Sequence, residues 1–416
     1  MENVKITTLP NGTRIISENI PHIRSFSLGF WFNVGTRDEN LRNNGISHFI
    51  EHMVFKGTKK RSARKISEEI EAYGGYLNAF TSKEHTCYYS RGLSGNLERT
   101  FSVLSDIVQN PLFKDYHIKK EAGVVIDELR DIDDNPEELI FDKFEEIIFS
   151  GSKLSLPVIG SEKNIKKFNS LELFKYHSSK YKTGNMLIVA SGAIEHEKII
   201  ELAKKYIQSE KPYNVLRKEK YSKKKFGKVV LDKEINQVHS IIGRSTVGFK
   251  NNKRVPIKIL TTLLGDGSSS RLFQSVREKM GITYQINSFL NSYEDISSFG
   301  VYFSTNTNQA EKVSEIVLKE FKKLRKEKVS DRELKKVKEY IKGSTLLSLE
   351  STTNRMIRIA NSMLYYNKIY PVDYYLNKID SVTSKQLIEI ANELLDEKKM
   401  TSVILRSVKE NISEAA

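Results

Sequence analysis

The stretch Gly45-Ile-Ser-His-Phe-Ile-Glu-His-Met-Val-Phe-Lys-Gly-Thr58 decides how the rest of the chain reads. Its first part, about 45–54, reads as a helix. His48 and His52 stand four apart, which puts both imidazoles on one helix face, about one turn apart. Two imidazoles so placed can both reach a borderline-soft ion such as zinc. Glu51, three residues after His48, lies on the neighbouring flank. From there it can touch a water on the metal without taking a metal position. The order H-x-x-E-H inverts the commoner H-E-x-x-H and is known as a metal-hydrolase signature. The bland alternative is a pair of ordinary helix histidines beside a surface glutamate.

Zinc needs a third protein ligand and an open position for water. No other histidine is suitably spaced. A helix over 117–131 is the better source. Its apolar stripe runs Ile118, Ala122, Val125, Leu129 and Ile132, which is core spacing. Glu121 and Glu128, seven apart, share a different face. One could ligate while the other supports it from behind. A solvated acidic face reads equally well from spacing alone.

Outward from these two helices, the 416 residues suffice for two or three domains with real cores. The one cysteine, Cys87, excludes an intramolecular disulfide framework and a cysteine-rich zinc finger. It sits in a strand pattern and should be buried and inert. No run of about 18 apolar residues appears, so no membrane-spanning helix is expected. Residues 1–20 read as strand, turn at Pro10-Asn11-Gly12, strand, not as a leader; the expected compartment is cytoplasmic. The formal net charge is +15. Its lysines are spread over many helices among Glu and Asp, so it reads as a solvated surface and not as a nucleic-acid or membrane interface.

Strands are expected at 25–33, around 78–82 and 86–90, and at 186–191. Helices are expected at 63–73, 97–108 and 117–131. A basic, proline-containing stretch at 211–228 reads as a linker. After it the element order repeats: a strand at 238–247, a helix at 256–264, a strand at 299–304 and helices from 309 and 330. The fold class expected is α+β: two similar domains, each a mostly antiparallel mixed sheet with helices packed on one face. The domains would span 1–210 and 229–416. The run at 265–270 lacks Gly-Lys-Ser/Thr, so it reads as a turn into a helix and not a phosphate loop. His85, near the strand at 78–82, reads as an ordinary exposed or capped histidine in preference to a substrate contact.

These residues resemble those of the pitrilysin, insulinase and mitochondrial processing peptidase family. The stretch 45–58 is similar to its zinc motif. With 75 residues between them, Glu128 follows His52 as the third ligand follows that motif in the family. The segment Glu121-Ala-Gly-Val-Val-Ile-Asp-Glu128 resembles the ligand-bearing helix, with Glu121 matching an auxiliary glutamate. Gly74-Gly75, Asn78-Ala79-Phe80-Thr-Ser82 and Tyr88-Tyr89 resemble a substrate-pairing edge strand. In the second half, 263–273 and Arg277 through Tyr284 resemble the family's C-terminal domain, where an arginine and a tyrosine seven residues later project toward substrate.

The resemblance implies a zinc endopeptidase with one Zn²⁺ per chain, held by His48, His52 and Glu128. Glu121 would support the site, and Glu51 would be the base. Asn78, Ala79 and Phe80 would pair with an extended peptide. Arg277 would position substrate, and Tyr284 would help stabilise the developing oxyanion. Long family members fuse two such halves into a chamber, and short ones pair two chains. A chain of this length implies a homodimer acting on peptides or unfolded polypeptides. The rival expectation is a catalytically silent partner subunit of the same fold.

Overall fold

The structure, a computed structural model, describes residues 3–208, 217 and 226–408. Its described residues divide into two compact units. Met1–Arg130, Leu156–Glu219 and Ser348–Pro371 form the first; Asp131–Ser155, Lys220–Leu347 and Val372–Ala416 form the second.

The first unit is built on six strands: β1 (Val4–Thr8), β2 (Arg14–Asn19), β3 (Ser25–Phe32), β4 (Tyr76–Thr81), β5 (Thr86–Leu93) and β6 (Met186–Gly192). Their order is β1-β2-β6-β3-β5-β4. Only β2 and β6 run parallel; every other pair is antiparallel. The side-chain period of two along β3 sorts its residues to two faces. Phe26, Leu28, Phe30 and Phe32 are all buried. Three helices follow, α1 (Ile46–Val54), α2 (Ala63–Glu71) and α3 (Leu97–Gln109), and the β3 face meets α3, with Phe30 edge-on to Phe101 at 5.1 Å. Trp31 points the other way, into a cluster with Ile16, Cys87, Leu187 and Val189. Cys87 is buried and free, as its strand position implied.

The second unit repeats the scheme with β7 (Gly227–Lys233), β8 (Val238–Val247), β9 (Gln285–Ser292), β10 (Ile296–Thr305) and β11 (Thr401–Ser407). The order is β7-β11-β8-β10-β9, and again one pair, β7 with β11, is parallel. Position by position, β7, β11, β8, β10 and β9 stand where β2, β6, β3, β5 and β4 stand in the first sheet. The repeated element order is thus a repeated fold, α+β in both units. Phe299, Val301 and Phe303 of β10 face helices Arg254–Gly265, Ala310–Lys326 and Ser384–Leu394.

Two features extend the sequence expectation. Each sheet carries helices on its main face and one more helix on its back. Behind the first sheet, Met356, Ile359, Ala360 and Met363 of helix Thr352–Tyr366 pack into the Trp31 cluster. Behind the second, Leu139, Ile140 and Phe144 of α5 (Pro136–Ile148, following α4, Asp115–Asp134) meet Ile241, Tyr302 and Val403. Second, the units are not contiguous halves. Residues 131–155 belong with the second sheet and 348–371 with the first. Helical periodicity shows that a helix has an apolar stripe, but not which sheet the stripe covers. Most of the expected linker at 211–228 lies outside the described residues; its end, from Gly227, is strand β7.

Candidate metal centre

Helix α1 forms because Ile46, Phe49, Ile50, Met53 and Val54 make one apolar stripe, all of it buried. Its N-cap is Gly45, at φ 97, a conformation that suits glycine. Glycine has no side chain to cap the helix, so the first amides need another acceptor. Glu39 supplies it. Its Oε2 accepts from the Gly45 N–H at 2.8 Å and from Asn44 Nδ2 at 3.0 Å, and its Oε1 accepts from the Ser47 N–H at 2.8 Å. Burial pushes the Glu39 carboxyl up to about 7, against the pull of those donors.

With the apolar stripe buried, the opposite face presents His48 and His52, their ring centroids 4.7 Å apart. Helix α4 brings two carboxylates to the same place. Ile118, Val125 and Ile126 bury one side of α4, and Glu121 is buried with them. Two turns on, Glu128 lies with one carboxylate oxygen 3.7 Å from His48 Nε2 and the other 3.5 Å from His52 Nε2. The ligand-capable atoms of His48, His52 and Glu128 all lie within 4.8 Å of one another.

Those separations test whether a metal fits. A zinc with ligands at about 2.1 Å in a tetrahedron sets its donor atoms about 3.4 Å apart. The two nitrogen–carboxylate distances match that edge and are too long and ill-suited for good hydrogen bonds. The protonation state of His48 points the same way: burial, helped by the charge of His52, pushes it down to about 4, so the ring is neutral near pH 7. His52 Nδ1 lies 3.0 Å from Glu121 Oε1 and its N–H donates there, so Nε2 is the nitrogen that faces Glu128. Burial lowers the His52 pKa, but Glu121, Glu51 and Glu128 together outweigh it and hold the pKa above its ordinary value. The other oxygen of Glu121 meets Lys56 Nζ at 2.6 Å. Burial raises the Glu121 pKa, but His52 and Lys56 outweigh that and keep the carboxylate ionised. Two imidazole nitrogens and a carboxylate thus converge on one point, and a divalent cation there would take the place of the second proton that the raised His52 pKa favours. His48 has no such support: its Nδ1 is buried without a hydrogen-bond partner among the described residues.

Glu51 stands beside the cluster and outside it. Its Oε2 accepts a hydrogen bond of 2.7 Å from Thr81 Oγ1. Burial, with the charge of Glu128 added, raises its pKa above the ordinary carboxylate value despite Thr81 and His52. A carboxyl tuned upward is suited to taking and returning a proton.

Thr81 ends β4, one of the two edge strands of the sheet. Asn78, Ala79 and Phe80 pair with Tyr89, Tyr88 and Cys87 of β5, and no strand among the described residues pairs with their other edge. Asn78 Oδ1 accepts from the Ala79 N–H at 2.8 Å, and the Phe80 ring packs on Trp31 at 5.4 Å. What β4 offers there is therefore main chain. In the second unit the structure brings Arg277 and Tyr284 together. The guanidinium lies 4.8 Å from the centre of the Phe273 ring and 5.1 Å from that of Tyr284. Tyr284 is 77% exposed.

Three residues of the centre escaped the sequence reading. Thr81 could have been found from strand alternation, since it shares a face with Ala79 and Leu77. Lys56 lies two residues beyond the end of α1, where helical spacing no longer applies. Glu39 carries no local signal. His85 departs from expectation: it is buried, edge-on to Tyr365 at 5.1 Å, and burial with the charge of Arg217 lowers its pKa well below the ordinary value.

The profile of the family described as Insulinase (Peptidase family M16) matches residues 14–162, and that of the Peptidase M16 inactive domain matches 167–341. A Bacillus subtilis protein named "Uncharacterized zinc protease YmxG" is 34% identical over 95% of this chain and 96% of its own length. An "Uncharacterized zinc protease" of Rickettsia felis is 31% identical over 97% of this chain and 98% of its own. Among solved structures, a protease from Helicobacter pylori superposes with a TM-score of 0.91 at 24% identity, covering 98% of this chain and all of that one. A peptidase M16 inactive domain protein from Pseudomonas fluorescens does so at 0.89 and 18%, covering 97% and 98%. At those identities the two structures speak for the fold. The chain belongs to peptidase family M16, as a member of single-half length.

Proposed function

We propose that the chain is a zinc-dependent endopeptidase, with Zn²⁺ held by His48, His52 and Glu128 and with Glu51 as general base. The observation that carries this reading is the convergence of the His48 and His52 Nε2 atoms on the two Glu128 oxygens at 3.7 and 3.5 Å, beside the Glu51 carboxylate that Thr81 holds. Bound zinc supplies Lewis acidity, which acidifies water and polarises a carbonyl. Glu51 takes the proton of the attacking water and hands it to the leaving amine. The Thr81 hydroxyl, donating to Glu51 Oε2, fixes the orientation of the carboxylate for this task. Glu121 fixes the His52 ring, and Lys56 holds Glu121 in turn.

The open edge of β4 supports main-chain pairing with an extended peptide, register being set at Asn78, Ala79 and Phe80. Arg277 and Tyr284 would contact substrate, with Tyr284 available to a developing oxyanion. We place them opposite the zinc of a second copy of the chain, so the working form is a homodimer. The first half of the sequence, to about 210, then supplies the metal site, and the half from 229 completes the chamber. Among the described residues no helix is long and apolar enough to cross a membrane, and the lone, buried Cys87 suits a reducing, cytoplasmic setting.

Zinc content and hydrolysis of a quenched-fluorescence peptide, measured for wild type and Glu51→Gln, test the core of this reading. One zinc per chain in both, with hydrolysis lost only in the variant by about 10²–10⁴-fold, is expected. A fully active Glu51→Gln enzyme would refute it. A strictly monomeric, fully active enzyme in light scattering would remove the dimer.

A further inference from the structure

The segment Gly35-Thr-Arg-Asp-Glu39 lies buried between the zinc helix and the turn that joins β4 to β5, and nearly all its polar groups have a partner. Glu39 caps α1. Arg37 Nη1 donates to Glu84 Oε1 at 2.6 Å, both side chains 1% exposed. The Arg37 N–H donates to the Lys83 carbonyl at 2.7 Å, and the Thr36 N–H to that of Ser82 at 3.4 Å. The backbones press together at Gly35, where a Cβ would lie 2.3 Å from the Ser82 carbonyl oxygen. Asp38 Oδ2 accepts from the Gly35 N–H at 3.0 Å.

One member of this cluster comes from far along the chain. Arg217 spans Asp38 with two bonds, Nη2 to Oδ2 at 2.7 Å and Nε to Oδ1 at 3.3 Å. The same Nη2 donates to the Glu84 carbonyl at 2.5 Å. Its side chain is 6% exposed. A buried guanidinium must be matched by acceptors or it costs several kcal/mol, and here a planar fork meets a carboxylate and a carbonyl at once. The Glu84 carbonyl sits on the turn whose preceding residue is Thr81, the hydrogen-bond partner of Glu51.

We propose that Arg217 is a positioning residue for the catalytic carboxylate: by tying Asp38 to the Glu84 carbonyl it locks the β4–β5 turn on the 35–39 segment and so sets Thr81 against Glu51. This rests on the function proposed above. The path is short and continuous: Arg217, Glu84 carbonyl, turn at 82–85, Thr81, Glu51. Arg217 thereby acts on the chemistry through the turn and not at the metal ligands.

The test is a double-mutant cycle of Arg217→Ala and Thr81→Val on the zinc-loaded full chain, with steady-state hydrolysis, zinc content and hydrogen–deuterium exchange as readouts. Wild type and Glu51→Gln run alongside. Arg217→Ala is expected to lose about 10-fold or more in kcat with KM within about 2-fold and zinc unchanged. The double variant should fall no lower than Thr81→Val alone, within about 3-fold, because both break the same path. Millimolar guanidinium should restore part of the loss in Arg217→Ala and none in Thr81→Val. Multiplicative losses, an unchanged kcat, or a loss confined to KM would each overturn the proposal. If Arg217→Ala does not fold, Arg217→Lys enters the same cycle, since it keeps the charge and loses the fork. If wild type does not hydrolyse peptide, the function reading fails by itself. Exchange then decides the positioning claim: faster exchange over 76–86 with 4–19 unchanged supports it, and unchanged exchange over 76–86 overturns it.

Discussion

Removing Glu121 should weaken zinc binding without abolishing it. One oxygen of Glu121 takes the His52 Nδ1–H at 3.0 Å and the other takes Lys56 at 2.6 Å. The residue is 4% exposed, so solvent offers His52 no ready substitute. In Glu121→Ala the ring loses the acceptor that fixes its tautomer and its aim, and Lys56 loses its counter-charge. Carboxylates behind a metal-bound histidine are worth about 10- to 100-fold in metal affinity, or about 1.4–2.7 kcal/mol. Both contacts go at once in the alanine variant, which argues for the upper end. Glu121→Gln can keep the bond to His52 through its carbonyl oxygen but then turns an NH₂ toward the Lys56 ammonium, so about 10-fold is expected. The assay is competition for zinc against a chromophoric chelator, with His52→Ala as the reference for a lost ligand. An affinity within 2-fold of wild type in Glu121→Ala would refute the supporting role. A loss as large as that of His52→Ala would make Glu121 a ligand.

Other outcomes follow from single sites. Glu39→Ala leaves the Gly45 and Ser47 amides without their acceptor inside the protein and should cost about 1–3 kcal/mol in urea unfolding, with zinc affinity falling as α1 frays. Met356→Ala, at a fully buried position behind the first sheet, should cost about 2–5 kcal/mol by the same assay while leaving zinc content unchanged. His177, buried with Nε2 2.9 Å from the Val108 carbonyl, is pushed by burial down to about 4, below the ordinary 6.5. The unfolded chain therefore binds a proton that the folded chain refuses between those values. Its contribution is intact above about pH 6.5 and is lost as pH falls toward 4, by up to about 3 kcal/mol. His177→Gln should flatten that part of the stability profile, and an unchanged slope between pH 4.5 and 6.5 would remove His177 as its source.

Much of this was legible in the sequence because local rules governed it. His48, Glu51 and His52 are related by helix spacing alone, and the structure keeps them on one helix. Glu121 and Glu128 share a helix face for the same reason. Spacing could not say which would ligate, because that depends on where α4 lies relative to α1, and only tertiary packing sets that. Glu39 and Thr81 were invisible for a related reason: each acts through a contact across the chain. His85 misled because a histidine beside a turn is usually solvated. Here the aromatic ring of Tyr365, 280 residues on, covers it. The back-face helices follow the same logic. Met356, Ile359 and Met363 announce a buried stripe, but nothing local states that it belongs to a sheet begun some 350 residues earlier.

That exchange of helices has a consequence for how the protein is made. A ribosome delivers His48, His52 and Glu128, the proposed zinc ligands, within the first third of the chain. The sheet behind them stays uncovered until helix Thr352–Tyr366 has emerged, near the end of synthesis. Met356, Ile359 and Met363 alone are worth roughly 5–9 kcal/mol together, comparable to the whole net stability of a domain. The first unit therefore cannot mature as its own residues appear. It waits, with Trp31 and its neighbours exposed, for nearly the complete chain. A gene cut at the connecting segment should yield two insoluble halves, and co-expressing them should rescue both together or neither.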